Sequence, residues 1–385
     1  MKKIEKKIKI IFCSIIIFII SVIGILTTTN DNIYNATEGR ILERFPKPEI
    51  QDFLHDEIYN KYTNAFSDQM IVKNIFIRGY YYLNQQKYIS DVIKGKNDYL
   101  FLEPKINEND AEYISDLKKI IERNMNEVAD NVNKLGAEFI FLSIPRKDVV
   151  LNKYLPDYYI DGTQDYLKYI NIIKNTKNNN VNLIDTYNLL KDKNVFYQND
   201  HHLNINGAYI LFEEIIKKIN KKNNIKLSAL QEEYKIEKRI VEGSFDRKIG
   251  YTHKKIEEDL ILTPLNEKIT YTRFENGKKS NVEIFGKGST YASAYMGNDC
   301  AETIIDTNQD DKPNILYVGT SFTNILEALS VYKFNKVVSV DYRHNNSGKT
   351  ISEYVKENDI DYVIFICSQS DDALNIDSIK QQLGY

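Results

Sequence analysis

Five short apolar runs alternate with amphipathic stretches along this chain, and the alternation dictates how its layers stack. The runs are Ala137–Ile144, Val181–Asp185, Ile315–Val318, Val337–Val340 and Tyr362–Cys367. All are strand-length and almost free of charge, as strands covered on both faces have to be. Around them, apolar residues recur at helical spacing over Ala111–Leu135, Asp161–Asn175, 322–333 and 350–358. Strands joined through helices run parallel with right-handed crossovers, so the sequence predicts an α/β fold with a doubly wound parallel sheet.

The stretch from about 227 to 288 breaks this rhythm, being charged and poor in buried-helix signals. Within it, Asn276-Gly277 separates Lys268–Phe274 from Ser280–Phe285, and Asn-Gly between β-rich runs marks a hairpin. The region reads as a β-rich insertion that shapes one wall of a cleft. With 42% hydrophobic and 27% charged residues, the chain has the material for a sizeable core and is not disordered.

The N-terminus has its own logic. Lys2, Lys3, Lys6, Lys7 and Lys9 precede an apolar run from Ile10 to Leu26, near the lower length limit for a membrane-spanning helix. Lysines on one flank only keep that flank cytoplasmic and place the rest of the chain outside. Thr27-Thr28-Thr29-Asn30 lacks a small-residue cleavage pattern, which favours an uncleaved anchor. The expected organisation is therefore a cytoplasmic and transmembrane signal anchor at 1–29, a membrane-proximal segment at 30–105, and a main extracytoplasmic domain at 106–385. Beyond the anchor the charge balance is mildly acidic, so no nucleic-acid partner is expected. Outside it only Cys300 and Cys367 remain, so there is no disulfide framework, and no Cys/His spacing of the zinc kind occurs.

Two segments carry candidate chemistry. Tyr197-Gln198-Asn199-Asp200-His201-His202 offers a carboxylate two residues before an imidazole, and Val318-Gly319-Thr320-Ser321-Phe322 places a hydroxyl between a strand end and a helix start. A serine hydroxyl needs an imidazole to take its proton and a carboxylate to hold that imidazole's tautomer, so Ser321, His202 and Asp200 suffice for a nucleophile, base and orienter. The Ser321 backbone N–H, at the start of a helix, can face an oxyanion. Each segment also has an ordinary reading: adjacent histidines serve structure or bind metal, and serine is a common helix N-cap. His201 competes with His202 as base. Gly297-Asn298-Asp299 has ordinary turn composition. Arg343 follows a strand end and either binds substrate or forms a surface salt bridge.

These residues resemble the SGNH-hydrolase-like acetyltransferases of bacterial surface polysaccharides, of the alginate O-acetylation type and its DHHW branch. Asp200-His201-His202 matches the Asp-His-His motif, with Leu203 where that branch has tryptophan. Ser321 falls on the nucleophile block, where Thr320 replaces a frequent aspartate, and Gly297-Asn298-Asp299 resembles the block whose asparagine amide serves SGNH enzymes as an oxyanion donor, a role that the resemblance gives to Asn298. The order, Asp-x-His before serine, is circularly permuted relative to ordinary SGNH esterases. Gly95–Phe101, Ile144-Pro145-Arg146-Lys147 with Leu155-Pro156, the helix start Leu203–Ala208, and Val340–Arg343 are also similar to family segments.

The resemblance implies a serine-dependent O-acetyltransferase without metal or other cofactor, acting on a polysaccharide acceptor. Its acyl donor would be relayed by a multispanning membrane-bound O-acyltransferase. Water and a sugar hydroxyl compete for one acyl-enzyme, so an acetyl esterase is the nearest alternative. A non-catalytic polysaccharide-binding protein and a metal phosphoesterase using Asp200-His201-His202 are the others.

Overall fold

The apolar runs form the centre of an eight-stranded sheet. Its strands, in chain order, are β1 (Glu138–Ile144), β2 (Val181–Asp185), β3 (Thr272–Glu275), β4 (Lys278–Ser280), β5 (Glu302–Asp306), β6 (Ile315–Gly319), β7 (Lys336–Asp341) and β8 (Tyr362–Ser368). They lie side by side as β4-β3-β5-β7-β6-β8-β1-β2. The structure, a computed structural model, describes residues 91–103, 111–223, 234–249, 256–264, 270–345 and 347–368, with the strand pair Tyr34–Asn35 and Arg40–Ile41. The expected anchor at Ile10–Leu26 and most of the membrane-proximal segment lie outside the described residues. Among those described, no helix is long and apolar enough to cross a membrane.

The backbone divides into two units, residues 1–92 with 244–254, and residues 93–243 with 255–385. In the first, the short helix Ser244–Lys248 ends on Lys248, which donates to Asp91 at 2.7 Å. The second holds the whole sheet.

The five expected strands are all present and mutually parallel, in the order β7-β6-β8-β1-β2. Strand β8, the last of the described strands, sits between β6 and β1. The sheet as a whole is mixed, which corrects the expectation of a wholly parallel one. Strand β5 runs antiparallel to β7, and the β3–β4 hairpin continues the sheet from β5. Asn276 and Gly277 have φ of 48° and 75°, the left-handed pair that a tight primed turn requires. The hairpin is thus an extension of the central sheet rather than a separate insertion. A second antiparallel hairpin, Tyr234–Val241 with Ile256–Pro264, does stand apart from it.

Helices cover the sheet. The expected helix over 111–135 is α1 (Ala111–Ile120), a π-turn at Ile121–Met125 and α2 (Asn126–Lys134); then come α3 (Thr163–Thr176), α4 (Ile205–Asn223), α5 (Asn324–Ser330) and α6 (Ile351–Glu357). On one face, α1, α2, α3 and α6 pack Leu117, Val128, Ile170 and Val355 into a core with Phe139, Phe141, Val318 and Phe365. Strand residues point alternately to opposite faces, so Ile140, Leu142, Tyr317 and Ile364, all fully buried, belong to the other face. Helices α4 and α5 pack on each other. With both faces covered, Ser321, His202 and Arg343 all follow the C-terminal ends of parallel strands, where open α/β sheets place their sites.

Candidate active site

The loop between β2 and α4 doubles back on itself. Phe196 and Leu203 form an antiparallel bridge at its base, and the Tyr197 N–H donates to the His202 carbonyl at 3.3 Å. Asn204 then caps α4, its Oδ1 accepting from the Asn206 and Gly207 N–H groups at 3.0 and 3.2 Å. Leu203 is 1% exposed, so the position that differs from the Asp-His-His-Trp pattern faces the interior here.

Within this loop Asp200 is 1% exposed and works in two directions. Its Oδ1 accepts from the His202 backbone N–H at 2.9 Å and lies 2.7 Å from His202 Nδ1. The opposite ring nitrogen of His202, Nε2, is 2.8 Å from Ser321 Oγ, across 119 residues of sequence. Ser321 opens the one-turn helix Ser321–Thr323 at the end of β6, ahead of α5. The first N–H groups of a helical segment have no partner within it, which makes them candidate donors to negative charge forming on an acyl group.

His201 stacks obliquely on His202, with centroids 3.9 Å apart, and its Nδ1 is 3.3 Å from Asp200 Oδ1. Of the two imidazoles, it is that of His202 which lies within hydrogen-bond distance of Ser321 Oγ. Asp200, His201 and His202 offer ligand atoms within 4.8 Å of one another, a spacing that would suit a metal ion. A metal bound through His202 would have to displace Asp200 from Nδ1 or Ser321 from Nε2.

Asn298 and Arg343 lie in neighbouring loops, and no described hydrogen bond joins either to Ser321. Asn298 is exposed, beside Met296 and Gly297, whose φ values are 64° and 82°. Its neighbour Asp299 pins that turn to the serine helix by accepting from Asn324 Nδ2 at 2.9 Å. Arg343 donates through Nε to both carboxylate oxygens of Asp341, at 3.0 and 3.2 Å, and its Nη2 lies 3.5 Å from Asp299 Oδ2. Arg343 thus forms a salt bridge with Asp341.

Sequence reasoning missed Tyr291. It begins the short helix Tyr291–Ala294, which Thr290 and Ser293 cap reciprocally. Its ring lies parallel to that of His202, and its hydroxyl accepts from the Ile325 N–H of α5 at 3.4 Å. Phe322, its ring 5.1 Å from that of His202, closes another side. Beneath the serine helix, Glu327 is 3% exposed, and burial raises its carboxyl above the ordinary value although the Thr323 and Ser339 hydroxyls donate to it. Burial also pushes the Cys300 thiol up to about 11.

The family model for the "SGNH hydrolase-like domain, acetyltransferase AlgX" matches residues 92–360, well over half of the sequence. The chain belongs to this AlgX acetyltransferase family. Its fold is shared with PatB1 of Bacillus cereus, at a TM-score of 0.60 and 20% identity over 76% of this chain and 99% of that one. A DHHW family protein from Eubacterium siraeum DSM 15702 aligns at 0.56 and 18% identity, over 76% and 99% of the two chains. A second Bacillus cereus PatB1 structure, with a sulfonyl adduct, aligns at 0.60 and 21% over 76% and 98%. No curated protein matches by sequence. The AlgX-family assignment agrees with the resemblance carried by the Asp-His-His and Ser321 segments.

Proposed function

We propose that this AlgX-family chain is an extracytoplasmic, membrane-anchored O-acetyltransferase that moves an acetyl group through Ser321 onto a cell-surface or secreted polysaccharide. The observation that carries the reading is the relay of 2.7 and 2.8 Å from Asp200 through His202 to Ser321. Neutral His202 takes the Ser321 proton through Nε2 as Oγ attacks the acetyl carbonyl carbon. The resulting oxyanion faces backbone N–H groups at the start of the serine helix, and buried Asp200 offsets the charge on the imidazolium. Collapse of the tetrahedral intermediate breaks the bond to the donor's leaving group, which takes the proton back from His202. A sugar hydroxyl then repeats the cycle: His202 removes its proton, its oxygen attacks acetyl-Ser321, and the serine oxygen leaves reprotonated.

An acetyl donor has to reach this side of the membrane. A multispanning membrane-bound O-acyltransferase is the relay that the family resemblance supports. The N-terminal lysines and apolar run support the topology.

The test is incubation with a chromogenic acetyl ester, with and without an oligosaccharide acceptor, followed by mass spectrometry of protein and acceptor. Acetyl on Ser321 and then on the oligosaccharide is the expected result. Turnover by water alone, unchanged by acceptor, would make the chain an esterase. Because PatB1 is known with a sulfonyl adduct, a sulfonyl fluoride is a suitable second probe, expected to add one label at Ser321.

A further inference from the structure

Lysine side chains seldom go fully inside a protein, because a buried ammonium is costly unless it is well partnered. Lys147 is 5% exposed. It begins the short helix Lys147–Val150, just past the end of β1. Its Nζ reaches four backbone carbonyls: Leu100 at 2.7 Å, Tyr197 at 2.6 Å, Gln198 at 2.8 Å and Asp200 at 3.0 Å. The rings of Tyr99 and Phe101 lie 5.5 and 5.2 Å from the same nitrogen.

Three of those carbonyls come from the four residues 197–200. Carbonyl oxygens so close in sequence repel one another when turned to a common point, and a positive charge there reverses the sign of the interaction. The loop is thus folded around the ammonium much as a loop folds around a bound cation. Other restraints hold its opposite side: Asn199 Nδ2 donates to the Val241 carbonyl at 2.8 Å, and a Cβ on Gly243 would come 1.9 Å from the Asn199 carbonyl oxygen. Asp200 is the meeting point, since its carbonyl rests on Lys147 while its carboxylate holds both the backbone and the ring of His202.

We infer that Lys147 is a positioning residue for the triad. Its ammonium sets the curvature of the 197–202 loop and so aims the Asp200 carboxylate at His202 Nδ1. An arginine would not substitute, because a flat, forked guanidinium cannot serve four oxygens that converge on one point. The inference rests on the acyl-transfer reading of Ser321, and its test keeps the two apart.

Lys147→Met preserves the length and volume of the side chain and removes the charge. Its kcat on a chromogenic acetyl ester should fall about 100-fold, the scale set by a displacement of about 1 Å in catalytic geometry, with KM within about threefold. In an Asp200→Asn background the same change should cost little more, because both act through one carboxylate. Lys147→Ala assayed with propylammonium, which replaces the missing atoms, should recover at least about tenfold of the loss. Wild-type kcat in folded Lys147→Met, fully additive losses in the double variant, or no recovery with propylammonium would each overturn the inference. So would loss of the fold in both variants by circular dichroism, which would make Lys147 a determinant of folding and not of the site. Ser321→Ala run in parallel separates the readings: activity surviving there overturns the acyl-enzyme mechanism, whereas an inactive Ser321→Ala beside a fully active Lys147→Met overturns only the role of Lys147.

Discussion

The ring of Tyr291 lies flat against that of His202, with centroids 3.9 Å apart and planes 5° from parallel. His202 is thereby fixed in three ways: Nδ1 by Asp200, Nε2 by Ser321 and its face by a tyrosine whose own hydroxyl is anchored on α5. A stack of this kind is worth about 0.5–1.5 kcal/mol beyond area burial. Tyr291→Phe keeps the stack and should retain acetyl-ester turnover within about threefold, while Tyr291→Leu should lose roughly tenfold in kcat, by the same magnitude. Steady-state kinetics on the two purified variants check it, and equal losses would show that the hydroxyl, not the ring face, matters.

The two histidines of the loop should separate cleanly. His202→Ala removes the base and should lower turnover by about four to six orders of magnitude, as Ser321→Ala should. Asp200→Asn should cost about 10⁴ in kcat, since the amide holds the wrong tautomer. His201, 37% exposed at its side chain and 3.3 Å from Asp200, should cost about tenfold or less when changed to alanine. An inactive His201→Ala beside an active His202→Ala would reverse the assignment of the base.

Glu327 gives a prediction about stability against pH. Burial raises its carboxyl, so the folded chain holds this proton more tightly than the unfolded chain does. As pH climbs past the ordinary carboxylate value, the unfolded state releases the proton first, and stability drops until the folded state also releases it. Glu327→Gln cannot ionise. Its melting temperature relative to the parent should therefore rise as pH climbs above the ordinary carboxylate value, and level off once the folded chain has also released the proton. A melting-temperature difference that stays flat with pH would show that Glu327 carries no such burden.

At Gly243 the close approach is backbone to backbone, so it cannot be relieved by turning a side chain. Gly243→Ala should destabilise the protein by about 1–3 kcal/mol in urea unfolding and should also lower acetyl-ester kcat, because the displaced atom belongs to Asn199, next to Asp200. Full activity with unchanged stability would mean that the loop is held less firmly than its contacts require.

The proposed topology is open to a direct check. Protease added to intact cells after wall removal should cut the main domain while leaving the lysine-rich N-terminus protected. Complete protection with a sealed membrane would remove the basis for an extracellular polymer substrate.

Much of this was readable from the residues because parallel strands buried on both faces must be continuously apolar, and five such runs lie where strands were expected. The meeting of Asp200, His202 and Ser321 was legible for a related reason: strand ends and helix starts locate loops, and two loops carried complementary side chains. Strand β5 was missed because Glu302-Thr303-Ile304-Ile305-Asp306 is only half buried and its alternation is too brief to stand out. Without β5, the Asn276-Gly277 hairpin looked detached from the sheet that it in fact extends. Tyr291 carried no signal among 28 tyrosines, its importance arising from a ring 89 positions earlier in the chain. Lys147 stands out in the sequence only through its resemblance to a family segment, since nothing local distinguishes a caged lysine from a solvated one. The one hint is its setting, directly after a buried strand and before Val149-Val150-Leu151.

The place of β8 bears on the order in which a growing chain can become an enzyme. The loop bearing Asp200 and His202 follows β2, and Ser321 follows β6, while the strand pairing between these two parts of the sheet runs through Tyr362–Ser368, which lies between β6 and β1. Folding proceeds broadly from the N-terminus as synthesis delivers the chain. A nascent or truncated polypeptide lacking that strand would have no sheet pairing between the parts that carry Asp200 with His202 and Ser321, and only helix and loop contacts such as that of α4 with α5 would join them. If the proposed acyl transfer holds, the spacing of the three side chains should become exact only when Tyr362–Ser368 is in place, which would tie competence to the synthesis of that strand.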